Sequence, residues 1–400
     1  MTYSEAVEWL YAAVPNFQRD GGSKNYKIGL EGPQELWESL DFPSKDLPTI
    51  HIAGTNGKGS SAHMIAAGLL ACGQRVGVFS SPHLFDFRER AKIGRDLVPK
   101  EFVASWVTRH SAHFEQGGYS FFELTLMLAL SWFEQEQVDY IVLETGMGGR
   151  LDATNICDPE VCLITNIGLD HKEWLGDSRD LVAAEKAGII KAGVPVVVVE
   201  QDPETAPVFK ATAARVGAPL LWAKSTDAKT DLRGDYQNEN LRGAVAVLSL
   251  LLPEYEKLWS LGFTSVGELT GFFGRWSELS TSPKVVCDTG HNPEAFERIV
   301  GQAQRECGGQ IHWVLGAAAE KDSSGMIALL PESSAFYWTS CSSPRCKSGE
   351  QLQEEAAALG KIGPAFEGVA TALEAAKNAA SENDLIFVGG STFVVADLNV

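Results

Sequence analysis

The sequence predicts an α/β protein, with a larger doubly wound domain first and a smaller, Rossmann-like α/β domain after it. Three observations carry this expectation. Short β-rich runs alternate with helical stretches. Those runs are almost continuously apolar, as strands of a parallel sheet covered on both faces must be. The alternation also breaks once, near residue 275, before it restarts. A length of 400 residues agrees, because roughly 150 residues per domain leads to two or three domains.

Taken in order, PTIHIAG (48–54) reads as a strand and GKGSSAHMIAAGLLACG (57–73) as a helix; VGVFSSP is the next strand and SFFELTLMLALSWFEQE a buried helix. VDYIVLETG (138–146), VCLITNI (161–167) and VPVVVVE (194–200) follow as strands, with DSRDLVAAEKAGIIKAG as a helix before the last. The stretch 224–238 is polar, and NENLRGAVAVLSLLLP is a helix. TGFFGRWSELSTSP then interrupts the pattern with Gly, Ser and Pro, which sets a boundary between a domain 1–274 and a domain 275–400. In the second domain KVVCDTG, IHWVLGAA, AFYWTS and DLIFVGG read as strands, and NPEAFERIVGQAQREC, EEAAALG and VATALEAAKNAA as helices. There is no internal repeat and no low-complexity segment.

Composition narrows the function. With 44% apolar and 21% charged residues the chain has material for packed cores and no mark of disorder. A net charge of −19 makes the average surface repel phosphate backbones and anionic lipid, so neither nucleic acid nor membrane is an expected partner. The opening stretch MTYSEAVEWLYAAVPNF carries Glu5 and Glu8 where a signal peptide wants cations, and no apolar run reaches the ~18 residues of a membrane span. A cytoplasmic location is expected. The seven cysteines (Cys72, Cys157, Cys162, Cys287, Cys307, Cys341 and Cys346) are scattered without a CxxC pair. That argues against both a disulfide framework and a zinc site and predicts buried thiols.

The most specific motif is Ala53-Gly54-Thr55-Asn56-Gly57-Lys58-Gly59-Ser60, between a strand and a helix. Glycines let backbone N–H groups close around phosphates, Lys58 supplies a cation and the Ser60 hydroxyl suits magnesium. The spacing is shorter than in GxxxxGK[ST], and a plain glycine-rich turn is the structural alternative. Glu144 ends a strand, where open α/β sheets bind ligands and hard cations find carboxylates; a solvated or capping Glu is the other reading. Asp170-His171 also follows a strand, and a lone His is as readily structural. Lys186 lies in a helix and by itself reads as a solvated lysine. Asp288-Thr289-Gly290-His291-Asn292-Pro293 places a carboxylate, an imidazole and a helix start at one strand end, which a turn with an N-cap would also explain.

Together with VFSSPHLFDFRER, SFFELT, LETGMGGRLDATN, ITNIGLDHKEWLG, EKAGIIK, YQNEN, FFGRW, CDTGHNP and VGGSTFVVAD, these pieces resemble the folylpolyglutamate synthase and dihydrofolate synthase family, within the Mur ligase superfamily of ATP-dependent amide-forming enzymes. The resemblance covers nearly the whole chain. It implies that Lys58 and the backbone of Thr55, Asn56, Gly57, Gly59 and Ser60 hold ATP phosphates. Ser60, Glu144 and His171 would surround one or two magnesium ions. Lys186 matches a lysine often carbamylated into a magnesium ligand, which overturns its reading as a solvated side chain. A monovalent cation is a further implied ion. Asn240, Arg275 and Asp288 match nucleotide-contacting positions, while His291 and Asn292 match the second domain's contribution to catalysis and substrate binding. Ser81, Pro82 and His83 match a loop near folate and glutamate, Ser391 a residue that places the incoming glutamate, and Phe122 with Asp152 the region linked to pterin binding. Two departures, Lys172 where Thr is common and Gly290 where Ala is usual, remove no proposed ligand.

The implied reaction is ATP-dependent addition of L-glutamate to reduced folates and to dihydropteroate through an acyl phosphate, by a monomeric protein whose two domains close to exclude water. The alternatives are a folylpolyglutamate synthase without dihydropteroate activity and an ATP-binding regulatory module without ligase chemistry. A ligase of muramyl-peptide precursors is disfavoured because only 53 residues precede Gly54, and a simple P-loop kinase leaves the second domain unexplained.

Overall fold

The computed structural model describes residues 1–12, 29–40 and 47–398, so residues 13–17 of the opening stretch lie outside it. The chain divides into two compact units, Met1–Asp231 with Gln237–Phe272, and Leu232–Tyr236 with Phe273–Val400.

The first unit is built on strands β1 (Thr49–Ala53), β2 (Val76–Phe79), β3 (Ala91–Ile93), β4 (Asp96–Leu97), β5 (Tyr140–Glu144), β6 (Val161–Ile164), β7 (Val196–Val198) and β8 (Leu220–Trp222). They form one sheet in the order β4-β3-β2-β5-β1-β6-β7-β8. The pairs from β2 to β8 are parallel, while β3 and β4 run antiparallel at one edge, so the sheet is mixed rather than wholly parallel. The central strands β1, β2 and β6 are buried at every residue, which explains their continuous apolar sequence. Helices Tyr3–Ala12, Glu31–Ser39, Lys100–Gly117 and Phe121–Gln135 pack on one face through Leu10, Leu36, Trp106 and Leu124. On β6 and β7, helices Arg179–Ala187 and Ala206–Val216 bury Val182, Ala183 and Phe209. Ser120 opens Phe121–Gln135 with a capping box to Glu123, which fixes where that apolar helix begins.

The second unit holds β9 (Ser277–Thr281), β10 (Lys284–Asp288), β11 (Ile311–Leu315), β12 (Ala335–Thr339), β13 (Ala365–Phe366) and β14 (Leu385–Gly389), in the order β13-β12-β11-β14-β10-β9. All its pairs are parallel except β9 with β10. Strand β9 occupies part of the stretch read as a break: its residues are half-buried and its antiparallel pairing at the edge tolerates polar side chains. Trp276, Trp313, Trp338 and Phe387 form the centre of this unit's core.

The expectation of seven buried thiols is corrected. Cys341 and Cys346 form a disulfide, their Cα atoms 5.9 Å apart across a short turn, a pairing that a four-residue spacing does not announce. Cys157, Cys162 and Cys287 are buried thiols, and Cys72 and Cys307 are half-buried. No described helix is long and apolar enough to cross a membrane.

Candidate active site

Three neighbouring strands of the first unit, β5, β1 and β6, end side by side, and each end carries a residue of the site. Register Ile52↔Glu144 sets Glu144 level with Ile52, two residues before Gly54, and register Ala53↔Ile164 carries Gly54 and Thr165 out of their strands side by side. Gly54 has φ of +154°, and a Cβ there would meet the Thr165 hydroxyl at 1.8 Å, so only glycine fits. Gly57, at φ +85°, stands against Asn240, whose Oδ1 lies 2.1 Å from where a Cβ would be. Asn240 is in turn held by donating from Nδ2 to Gln237 Oε1 at 2.8 Å.

The loop is stitched to the segment after β6. Thr55 N–H donates to the Asn166 carbonyl at 3.0 Å and Asn56 N–H to Asn166 Oδ1 at 2.8 Å. Thr165 Oγ1 donates to the Asn56 carbonyl at 2.6 Å, and Thr55 Oγ1 bridges Gly168 N and O at 2.9 and 3.0 Å. The amides of Thr55 and Asn56, expected against the phosphates, therefore serve the loop itself. The amides of Lys58, Gly59 and Ser60 open the helix Lys58–Ala71, where no intrahelical acceptor precedes them.

Two lysines converge on one carbonyl. Lys58 Nζ donates to the Gly54 carbonyl at 3.0 Å and to that of Thr55 at 3.3 Å, while Lys186 Nζ donates to the same Gly54 carbonyl at 2.9 Å. Lys186 is buried, not solvated. Burial first, and the neighbouring Lys58 charge second, push its amine down to about 7. The carboxylate of Glu144 lies 3.5 Å from the position a Gly59 Cβ would take and accepts from Ser81 N–H at 3.2 Å. One residue on from Gly59, the Ser60 hydroxyl is buried without a hydrogen-bond partner. These hard oxygens suit a divalent cation. Among the described residues no three His, Cys, Asp or Glu side chains converge on a metal by themselves, so phosphate and water oxygens would complete such a shell.

His171 follows β6 in a left-handed backbone, φ 51°, with Nε2 3.8 Å from Asp170 Oδ2. Pro82 follows Ser81 through a cis peptide. His83 is half-buried and accepts from Arg90 Nε at Nδ1, 2.8 Å away; desolvation, and then the Arg90 charge, hold its imidazole down to about 3. Arg90 lies 5.1 Å over the Phe121 ring. Asp152 caps the turn Ala153–Ile156; it accepts from Gly146 and Met147 N–H at 2.9 Å each and from Thr154 N–H at 3.0 Å. Phe122 packs edge-on to Phe79, and the same Gly146 separates it from Asp152.

In the second unit Asp288 ends β10 and is buried. It accepts from Trp276 N–H at 2.8 Å, Gly290 N–H at 2.7 Å and the Tyr236 hydroxyl. His291 Nδ1 donates to the Thr289 carbonyl at 3.0 Å, which leaves Nε2 as the outward nitrogen. Asn292 and Ser391 are N-caps, accepting from Ala295 and Phe393 N–H. Register Asp288↔Gly389 puts Asp288 and Ser391 at the same sheet edge, and Arg275 Nη1 donates to Gly274 O at 3.1 Å.

Sequence reading missed Thr165, Asn166, Gln237, Arg90 and His51. The first two lie in ITNIG directly after a strand, the signal that located Glu144; the others are buried polar residues, and His51 meets its partner Thr154 only 103 residues on.

The matching families are "Mur ligase middle domain" over residues 52–256 and "Mur ligase, glutamate ligase domain" over residues 274–392. The Escherichia coli dihydrofolate synthase/folylpolyglutamate synthase is 36% identical over 393 residues, covering 94% of this chain and 91% of that one. The solved structure of E. coli FolC in complex with DHPP and ADP superposes with a TM-score of 0.85 at 30% identity, covering 99% and 96% of the two chains. A bifunctional folylpolyglutamate synthase/dihydrofolate synthase with Mn, AMPPNP and L-glutamate bound gives 0.85 at 31%, covering 99% and 97%. With site geometry and overall likeness in agreement, the chain belongs to the dihydrofolate synthase/folylpolyglutamate synthase family of Mur ligases.

Proposed function

We propose that this protein is an ATP-dependent ligase that joins L-glutamate to reduced folates and to dihydropteroate. The observation that carries the reading is the phosphate loop itself: a helix N-terminus, two lysines on the Gly54 carbonyl, Gly59 against Glu144, and a buried unpartnered Ser60 hydroxyl. A carboxylate does not acylate an amine directly. In the reaction an acceptor carboxylate oxygen attacks the γ-phosphorus of ATP and ADP leaves; the glutamate amine then attacks the acyl carbon and phosphate leaves.

The chain's part is positioning and charge. The amides of Lys58, Gly59 and Ser60 and the Lys58 ammonium receive phosphate oxygens, so that the Lys58 charge stands where negative charge grows. Ser60 and Glu144 would hold magnesium, which neutralises phosphate oxygens when bound. We assign His171 to the same ion. A Lys186 amine that is largely uncharged near pH 8 can react with carbon dioxide, R–NH2 + CO2 giving R–NH–COO− and a proton, and so become an anionic ligand. Asn240, Arg275 and Asp288 are assigned to the nucleotide, and Ser81, Pro82 and His83 to the folate-side loop. Phe122 and Asp152 are assigned to the pterin, and His291, Asn292 and Ser391 to glutamate. Residues 1–274 are the ATP-binding domain and 275–400 the glutamate-ligase domain in this reading, and the protein acts as a cytoplasmic monomer.

The test is incorporation of labelled glutamate with ATP and magnesium, dihydropteroate and tetrahydrofolate being offered separately. Product on both is expected. Product on tetrahydrofolate alone removes the dihydropteroate activity; ATP binding without product on either acceptor overturns the ligase. Replacing potassium by tetramethylammonium in the same assay reads the monovalent-cation requirement, and mass spectrometry reads carbamylation of Lys186.

A further inference from the structure

In the second unit the disulfide turn grips the helix that Ser391 caps. Strand β14 ends at Gly389, and two residues on the Ser391 hydroxyl opens the helix Thr392–Ala396 by accepting from Phe393 N–H. Strand β12 ends at Thr339, and the turn from Cys341 to Cys346 follows it. This turn touches the helix at both ends. Ser342 donates from its amide to Asp397 Oδ2 at 2.6 Å and from its hydroxyl to Asp397 Oδ1 at 2.5 Å, and Asp397 is the residue that closes the helix. At the other end the Arg345 guanidinium, paired with Glu320, lies 5.5 Å over the Phe393 ring.

Ser342 follows Cys341 and Arg345 precedes Cys346, so both contacts are made by the immediate neighbours of the two cysteines. The bond that holds the two cysteine Cα atoms 5.9 Å apart therefore also sets the spacing of the two contacts. The Arg345 side has a separate anchor in the segment after β11: Ala319 N–H donates to the Arg345 carbonyl at 2.7 Å, and Lys347 N–H to the Ala317 carbonyl at 2.9 Å. A turn opened by reduction keeps that anchor and loses the link from it to Ser342, and so to Asp397. Both cysteines are half-buried and Ser342 and Pro344 between them are exposed, which gives a small thiol access to the sulfurs. In the cytoplasmic setting proposed above, a disulfide is more often reversible than permanent.

We propose that Cys341–Cys346 is a redox-modification site that tunes glutamate affinity: closed, it holds the helix Thr392–Ala396 and its cap Ser391 in place, and a dithiol reductant opens it. One thiolate of the reductant attacks a cysteine sulfur, and the other cysteine leaves as a thiolate that takes up a proton; the second thiol of the reductant then displaces the first cysteine. Two electrons and two protons pass from the dithiol, which becomes a disulfide, to the cysteine pair. The inference rests on the assignment of Ser391 to glutamate.

The experiment measures kcat and KM for glutamate, ATP and tetrahydrofolate after treatment with oxidised glutathione or with dithiothreitol, on the wild-type protein, on the double variant Cys341→Ser/Cys346→Ser and on Ser391→Ala. Reduction should raise the wild-type KM for glutamate about fivefold, the effect of one loosened hydrogen-bonding group, and reoxidation should restore it. The KM values for ATP and tetrahydrofolate should stay within about twofold, a split that general loosening does not produce. The double variant should show the raised value after both treatments, which sets aside the five other cysteines. Equal changes on all three substrates, a double variant that still responds, or alkylation of Cys341 and Cys346 as thiols after the oxidising treatment overturns the inference. So does a KM for glutamate that ignores reduction while Ser391→Ala raises it. A Ser391→Ala protein with an unchanged KM for glutamate overturns instead the assignment beneath. Should the double variant fail to fold, amide exchange over residues 392–397 of the wild-type protein decides: exchange that reduction does not speed overturns the inference.

Discussion

Two carboxylates end parallel strands in this molecule, Glu144 on β5 of the first unit and Asp288 on β10 of the second, and both are buried. Their surroundings differ in what is left over. Glu144 accepts from the Ser81 amide and faces Gly59 of a phosphate loop in which the Ser60 hydroxyl is unpartnered and two lysines share one carbonyl. Around Asp288, three internal donors from Tyr236, Trp276 and Gly290 converge on one carboxylate, and burial beside that carboxylate pushes the Tyr236 phenol well above its ordinary range. The two strand ends thus differ in how far internal donors already hold them. Being at the right end of a strand marks a place; the balance of donors and acceptors tells what the place does.

The largest effect should come from Lys58→Ala, with about a 10²–10³-fold loss of glutamate incorporation, the cost of removing one charge stabiliser from a transferring phosphoryl group. Ser60→Ala should lower activity in the same direction while leaving urea unfolding unchanged, since it removes a hydroxyl that bonds to nothing. Asp288→Ala should do the opposite: it strands three buried donors, and unfolding should show a loss of about 3 kcal/mol. An Asp288→Ala protein that unfolds normally but binds ATP poorly would dissolve the contrast.

Lys186 sharpens it through pH. Its amine is pushed down to about 7 in the folded state, against an ordinary lysine near 10.4 in the unfolded chain. Between those values the unfolded chain holds a proton the folded one lacks, so stability rises with pH there, by about 1.4 kcal/mol per pH unit for one proton. Lys186→Met should remove that one-proton contribution from unfolding measured between pH 7.5 and 9.5, and an unchanged slope would show Lys186 to be ordinarily charged. The smallest effect is expected at Cys341–Cys346. Opening so short a loop by Cys341→Ser, or by reduction, should cost about 2 kcal/mol. It should lower the unfolding midpoint of the second unit and leave that of the first unchanged.

Much of this was legible in the sequence where the signal is local. Gly54 to Ser60 is contiguous, and the backbone of a strand–turn–helix follows from it. Glu144 and Asp288 were found because each closes an apolar run, whereas Ser391 was named only through the family resemblance. What escaped reading is non-local or half-buried. The helix Lys100–Gly117 buries only Val103, Trp106, Val107 and Phe114 on one side, a stripe diluted by polar residues. Strand β8 is half-buried throughout and β9 carries Ser, Glu and Thr at the sheet edge, where apolar alternation is not required. Asn166 was missed because its partners are 110 residues away in the phosphate loop.

The sequence by itself determined the α/β class, the place of the phosphate loop and the family, because hydrophobic period, glycine placement and motif order are properties of neighbours along the chain. Only the tertiary structure decided that the Thr55 and Asn56 amides are already taken, that Lys186 is buried against Gly54, that Asp288 is held by internal donors and that His51 meets Thr154. Each is a question of which donor meets which acceptor. That pairing is made by segments brought together in the fold, and the partners of Lys186 and of His51 lie more than a hundred residues away.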